Sequence, residues 1–133
     1  MRDFKKLDIW QKSYALTLKI YKITKSFPDS KKFSLTNQLR RASSSIGANI
    51  AEGCGRASKK DFLRFLYNSY GSVKESEHFI LLSKDLDYID HNLYTNTIND
   101  IDLLSKMLNT FIGDISKDIK VGVAQSSLPN AQS

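Results

Sequence analysis

The sequence predicts an all-α protein built from four long helices, and three observations carry that prediction. Its 133 residues include only six glycines and two prolines, too few to punctuate a chain of many short elements. The alternating runs of Val, Ile and Thr that mark half-buried strands are absent. Between the few breakers lie four long stretches whose apolar residues recur every three or four positions, the spacing of a helix that buries one face.

The first stretch covers residues 7–26 and stops before Phe27-Pro28-Asp29, because the residue preceding a proline resists the helical region. On a helical projection, Leu7, Trp10, Tyr14, Leu18 and Tyr21 form one apolar row, and Ile9, Leu16, Ile20, Ile23 and Phe27 form a second. Ser13, Thr17 and Thr24 fall between the rows, and Lys12, Lys19, Lys22 and Lys25 lie opposite. This arc is wider than the roughly 100° stripe that one core face requires. Either the helix is wedged between two neighbours or one row faces another subunit. Aromatic rings beside lysines can stack bases, but at helical spacing Trp10, Tyr14 and Tyr21 are read as core.

A basic loop with Lys31 and Lys32 leads to the second stretch. Ser34 is placed to cap its first turn, and Gly53-Cys54-Gly55 closes it, with a glycine available for a left-handed terminus. The apolar stripe is Leu35, Leu39, Ala42, Ile46, Ile50 and Gly53, with a polar row of Gln38, Arg41, Ser45, Asn49 and Glu52 along its flank. We read the row as structural, since partly buried polar groups must find partners and thereby fix register. Gly53-x-Gly55-Arg56 is no phosphate loop, because it follows a helix and lacks the further glycine and lysine.

Ser58-Lys59-Lys60-Asp61 opens the third stretch as a capping box with Asp in the Glu position. Phe62, Leu66, Tyr70, Val73, Ile80 and Leu81 form its main face. Glu77 falls within that face and needs a cationic partner, for which Arg41 or Arg40 is the natural choice. Glu75, one turn after Gly71, joins the structural polar set. The fourth stretch, residues 93–119, keeps a long stripe from Tyr94 through Ile101, Leu108 and Ile115 to Ile119. Beyond Lys120 little remains to bury, so one domain over residues 1–120 and a disordered tail over residues 121–133 are expected.

A single cysteine, Cys54, excludes an internal disulfide. No apolar run approaches a membrane span, the N-terminus has no signal-peptide pattern, and a cytoplasmic setting is the default. His78 and His91 have no partner at ligand spacing and are read as surface residues. We find no nucleophile–base pair, metal set or cofactor motif, so no enzymatic activity, cofactor or small-molecule substrate is expected. Charge is uneven: residues 1–64 hold fifteen Lys+Arg against five Asp+Glu, and residues 65–133 hold five against nine. A basic half attracts phosphate backbones. The candidate contacts are Lys12, Lys19, Lys22, Lys25, Lys31, Lys32, Arg56, Lys59 and Lys60.

The run Gln38-Leu39-Arg40-Arg41-Ala42, continued by Ser45-Ile46 and Asn49-Ile50-Ala51-Glu52-Gly53, resembles the signature of the four helix bundle protein family. These are small bacterial proteins encoded within intervening sequences of 23S rRNA genes. Leu7-x-x-Trp10-Gln11-Lys12, Phe27-Pro28, Phe62-Leu63-Arg64-Phe65-Leu66, Gly71-Ser72-x-x-Glu75 and Ser105-Lys106-Met107-Leu108-Asn109 fit as well, so the resemblance spans nearly the whole chain. Tyr70 and Gly47 depart from its pattern. The resemblance implies an antiparallel up-down four-helix bundle. A more distant similarity, to the accessory protein of diversity-generating retroelements, implies a homopentamer that works with nucleic acid. The expected function is thus a non-enzymatic oligomeric bundle that binds structured RNA, DNA or a ribonucleoprotein. The alternative is a protein–protein scaffold without nucleic-acid affinity.

Overall fold

In the computed structural model, residues 2–127 are described, apart from the side chains of residues 31–33 and 126–127. Four helices carry the chain: α1 (Asp8–Thr24), α2 (Asn37–Cys54), α3 (Lys59–Asp85) and α4 (His91–Ser127). Cross-helix contacts fix their directions. Arg40 meets Thr24, Ser43 meets Thr17, and Gly47 meets Ser13 and Trp10, so α2 runs opposite to α1. Ser45 meets Ser72 while Gly53 meets Phe62, which reverses α3 against α2. Lys84 covers Tyr94 and Phe62 meets Phe111, which reverses α4 against α3. The result is an antiparallel up-down bundle in which α2 and α3 share the most extensive seam and the α1–α4 seam is the sparser one.

The core follows the periodicity. Ile20, Leu39, Ile46, Ile50, Leu66, Val73, Ile80, Ile101, Leu104 and Leu108 are fully buried, each branched side chain contributing about 1.5–3 kcal/mol by leaving water. Small polar residues occupy the rest of the interior. Ser13, Ser43, Ser69, Ser76, Ser83 and Thr97 are inaccessible to solvent. Their hydroxyls are satisfied by backbone carbonyls, as in Ser76 to Ser72 O at 2.9 Å and Ser83 to Phe79 O at 2.7 Å. Three serine and threonine hydroxyls donate across seams: Ser69 to Ile46 O at 2.8 Å, Thr17 to Ser43 O at 3.0 Å and Ser72 to Ser45 Oγ at 3.0 Å. The spacing of Ser69, Ser76 and Ser83 is sevenfold, two helical turns, so one narrow strip of α3 stays thin enough for close packing.

Helix ends differ from expectation in four places. The chain enters α2 through a π-helical turn over Lys32–Thr36 and not by a Ser34 cap. Within it Thr36 Oγ1 is buried without a hydrogen-bond partner. No glycine has positive φ, and Gly55 closes α2 at φ −84°. The left-handed residue is Asp87, at φ 64°, in the turn after α3. There Asp87 N–H bonds Lys84 O and Tyr88 N–H bonds Ser83 O, both at 2.9 Å, the paired bonds of a Schellman terminus. Ser58 does cap α3, accepting from Asp61 N at 3.1 Å, but the Asp61 carboxylate turns to Arg64 and leaves the box half made. Finally, α4 continues through Ser127, so the tail expected from residue 121 begins as helix with Val121 and Val123 exposed. Residues 128–133 of that expectation lie outside the described residues.

Candidate functional site

The two rows of α1 have opposite fates. Ile9, Leu16, Ile20, Ile23 and Phe27 are buried. The other row turns outward: Tyr14 is 52% exposed, Leu18 57% and Tyr21 41%. Trp10 is half-buried, stacked on Tyr14 with centroids 4.9 Å apart and roofing Gly47. The assignment of Tyr14 and Tyr21 to the core is therefore corrected. The arc is too wide for α2 and α4 to cover, and only the row between those helices is enclosed. Exposure of one row is the pattern that a wedged helix does not give.

Lys22 and Lys25 stand on this outward face, and Lys12 lies toward α4; all three are exposed. Arg40 of α2 joins them. Its guanidinium lies 4.7 Å from the Tyr21 ring, donates to Thr24 Oγ1 at 2.8 Å and reaches Tyr21 O at 3.3 Å. Sequence reading offered Arg40 to Glu77. The structure gives it to the end of α1, where unpaired carbonyls and the negative pole of the helix attract a cation.

The other candidate cations divide. Lys19 pairs with Asp100 at 2.6 Å and also contacts Asn96. Arg56 pairs with Glu52 at 2.9 Å, and Lys59 with Asp118 at 3.5 Å. Lys60 is exposed at the start of α3. The side chains of Lys31 and Lys32 lie outside the described set. Part of the charge is thus used within the molecule, and of the candidate contacts with described side chains Lys12, Lys22, Lys25 and Lys60 are the ones without an ion pair.

The polar row is not the buried register device read from the sequence. Gln38, Arg41, Glu52 and Glu75 are exposed, with Ser45 and Asn49 half-buried. Glu77 pairs with Lys74 at 3.7 Å and not with Arg41 or Arg40. It lies where the wide α3 face meets the edge of the α4 seam, within reach of solvent, so Lys74 one turn away suffices. Register falls instead to Ser45, Ser69 and Thr17. Gln38, Arg41, Ser45 and Glu75 line an open polar cleft of about 320 Å³ on the α2–α3 seam.

Two features escaped the sequence reading. A larger groove of about 520 Å³ follows the sparse α1–α4 seam, with Leu7, Ile9, Met107 and Phe111 in its walls and Lys6, Asp8, Lys106 and Asp114 at its edges. Tyr70, one of the departures noted above, accepts from Asn109 at 3.4 Å. Hydrogen bonds from Ser105 and Asn109 hold its phenol below the ordinary value. Cys54 is buried, and burial pushes its thiol above the ordinary range despite nearby Arg2, so it is a packed group and no nucleophile. His78 and His91 are exposed, as expected.

Comparison with known proteins gives a consistent answer. The sequence model described as "23S rRNA-intervening sequence protein" matches residues 5–110. The fold is similar to the 1.70 Å crystal structure of a protein of unknown function from the S23 ribosomal protein family of Bacteroides thetaiotaomicron. That match has a TM-score of 0.73 and 28% identity, over 78% of this chain and 97% of the other. No curated protein matches the chain.

Proposed function

The chain belongs to the 23S rRNA-intervening sequence protein family, and from that premise we propose that it is a non-enzymatic, self-associating bundle that binds structured RNA through the outward face of α1. One observation carries the reading: exposed Tyr14 and Tyr21 share that face with Lys22 and Lys25, which no carboxylate neutralises. Lysines take phosphates and release counterions. Tyrosine rings offer stacking platforms to unpaired bases, each worth about 1–3 kcal/mol. Arg40 over Tyr21 extends the cationic edge. Self-association, as the homopentamer implied by resemblance, would repeat the face and gain avidity. The setting proposed for this work is the cytoplasm.

Titration of labelled RNA hairpins and DNA duplexes at low and moderate salt tests the proposal. The wild type should bind with a steep salt dependence, and the Lys22→Glu/Lys25→Glu variant should lose roughly tenfold or more at low salt. Undetectable affinity at low salt for RNA and DNA alike overturns it. A second reading, a protein scaffold, is favoured by the pairs Lys19–Asp100, Arg56–Glu52 and Lys59–Asp118, which already use cations internally. It predicts an oligomer that survives the double lysine variant and has no affinity for nucleic acid.

A further inference from the structure

On the α2–α3 seam a guanidinium and a carboxylate line one cleft without meeting. Arg41 and Gln38 come from α2, Glu75 comes from α3, and Ser45 completes the lining. Ser45 is fixed in place: its Oγ lies 3.0 Å from both Asn49 Nδ2 and Ser72 Oγ. The rim is unengaged, since among the described residues Arg41, Gln38 and Glu75 make no hydrogen bond or ion pair. Glu75 is the exception on its helices. The other carboxylates of α2 and α3 all have cations: Glu52 has Arg56, Asp61 has Arg64, Glu77 has Lys74 and Asp85 has Lys84. Gly71, one turn before Glu75, adds no side chain to the rim, and nothing stands within 4 Å of where its Cβ would be.

The cleft adjoins the α1 face. Arg40 covers Tyr21, and the next residue, Arg41, opens onto the cleft. A single strand that left Tyr21 and crossed α2 at Arg41 would reach Glu75. A carboxylate on a phosphate track repels the phosphates, and the nucleic-acid group that suits it is a base edge that offers N–H groups. Cytosine and adenine each offer one amino group. Guanine offers two adjacent donors, N1–H and N2–H, beside the acceptors O6 and N7, and arginine is the commonest reader of those acceptors. Bases splayed from single-stranded RNA are read along such edges.

We infer that the Gln38/Arg41/Ser45/Glu75 cleft reads guanine in RNA held on the α1 face. Glu75 accepts from N1–H and N2–H, while Arg41 and Gln38 donate to O6 and N7. The inference rests on the nucleic-acid reading above and adds a base preference to it.

The test uses the full chain and short single-stranded oligouridine carrying one central guanosine, inosine or adenosine, followed by fluorescence anisotropy. Guanosine should bind about tenfold tighter than inosine, which lacks the 2-amino group, and tighter again than adenosine. Glu75→Gln, at an exposed position, should fold normally and erase the guanosine–inosine difference while keeping the salt-dependent affinity. Equal affinity for the three oligomers, with salt-dependent binding intact, overturns the base preference alone. A preference that persists in Glu75→Gln overturns the assignment to this cleft. No binding of these oligomers at low salt overturns this inference, and no binding of the hairpins and duplexes as well overturns the nucleic-acid reading with it.

Discussion

The α2–α3 seam is closed at one end and open at the other, and the same two helices build both. At the closed end Gly53 is buried, and a Cβ there would lie 2.8 Å from Phe62 Cδ1 and 3.0 Å from Phe65 Cβ. Arg2 completes that end, donating its backbone N–H to Cys54 O at 3.1 Å and placing its guanidinium 5.5 Å from the Phe62 ring. At the open end Gly71 has nothing near it, and Gln38, Arg41 and Glu75 face solvent. Two glycines within helices, equally costly to helix propensity, thus have different reasons. One is required by packing. The other meets nothing within 4 Å, as do Gly113 and Gly122, so packing within the monomer does not require it.

Substitution of Gly53 breaks the comparison most forcefully. Gly53→Ala gains helix propensity but forces a methyl against a ring and a Cβ that cannot both retreat. Overpacking of this kind costs about 1–3 kcal/mol, read as a lower denaturation midpoint in urea at unchanged slope. A neutral Gly53→Ala would mean that the closed end is loose and that the contrast is one of degree.

Alkaline pH probes the closed end more gently. Burial raises the Cys54 thiol above its ordinary value, so in the window between the two values the native state holds a proton that the unfolded chain releases. Stability is then complete below the ordinary thiol value and falls as pH rises through the window. Cys54→Ala should flatten that part of the curve, measured by urea titration across the alkaline range. An identical decline in the variant would assign the loss to other groups.

The opposite sign is expected at the open end. Gly71→Ala adds a methyl to free space within a helix and should stabilise by about 0.5–1 kcal/mol. Loss of stability would show that the Gly71 position is covered, in the monomer or by a second copy.

Much of this was legible in the residues. The four helices, most of their apolar stripes, the Ser58 cap and the burial of Ile20, Leu39, Ile46 and Leu66 follow from period and punctuation, because transfer of branched side chains from water dominates where each helix turns, whereas Leu81, expected on the main face of α3, is 41% exposed. The wide arc of α1 was legible as well, but which row would be covered was not. That depends on how far α2 and α4 reach round the helix, a tertiary quantity absent from a projection. The buried serines were overlooked although Ser69, Ser76 and Ser83 recur every two turns. A hydroxyl that bonds the carbonyl four residues back is as easily buried as a methyl, so polarity misleads there. The polar row was misjudged for the converse reason. Arg41 and Glu75 lie beside an apolar stripe in projection, yet the Ser45–Ser72 contact holds the seam without them and leaves their charges outside.

That last point gives the smallest expected effect and the one that most sharpens the contrast. If Arg41 held the seam, Arg41→Met would leave a carboxylate unpaired and cost several kcal/mol. It holds nothing among the described residues: Glu75 shares its cleft without an ion pair, and Glu52 and Glu77 pair with Arg56 and Lys74. An exposed side chain without partners changes stability by at most about 0.5 kcal/mol when replaced. Arg41→Met should therefore unfold with the wild type in urea and keep its oligomeric mass by light scattering, while its affinity for guanosine-bearing RNA drops. The conjunction matters, because a destabilised variant that also binds poorly would return Arg41 to the architecture of the seam. Unchanged unfolding with weaker binding places the residue, and with it the open end, on the side of recognition.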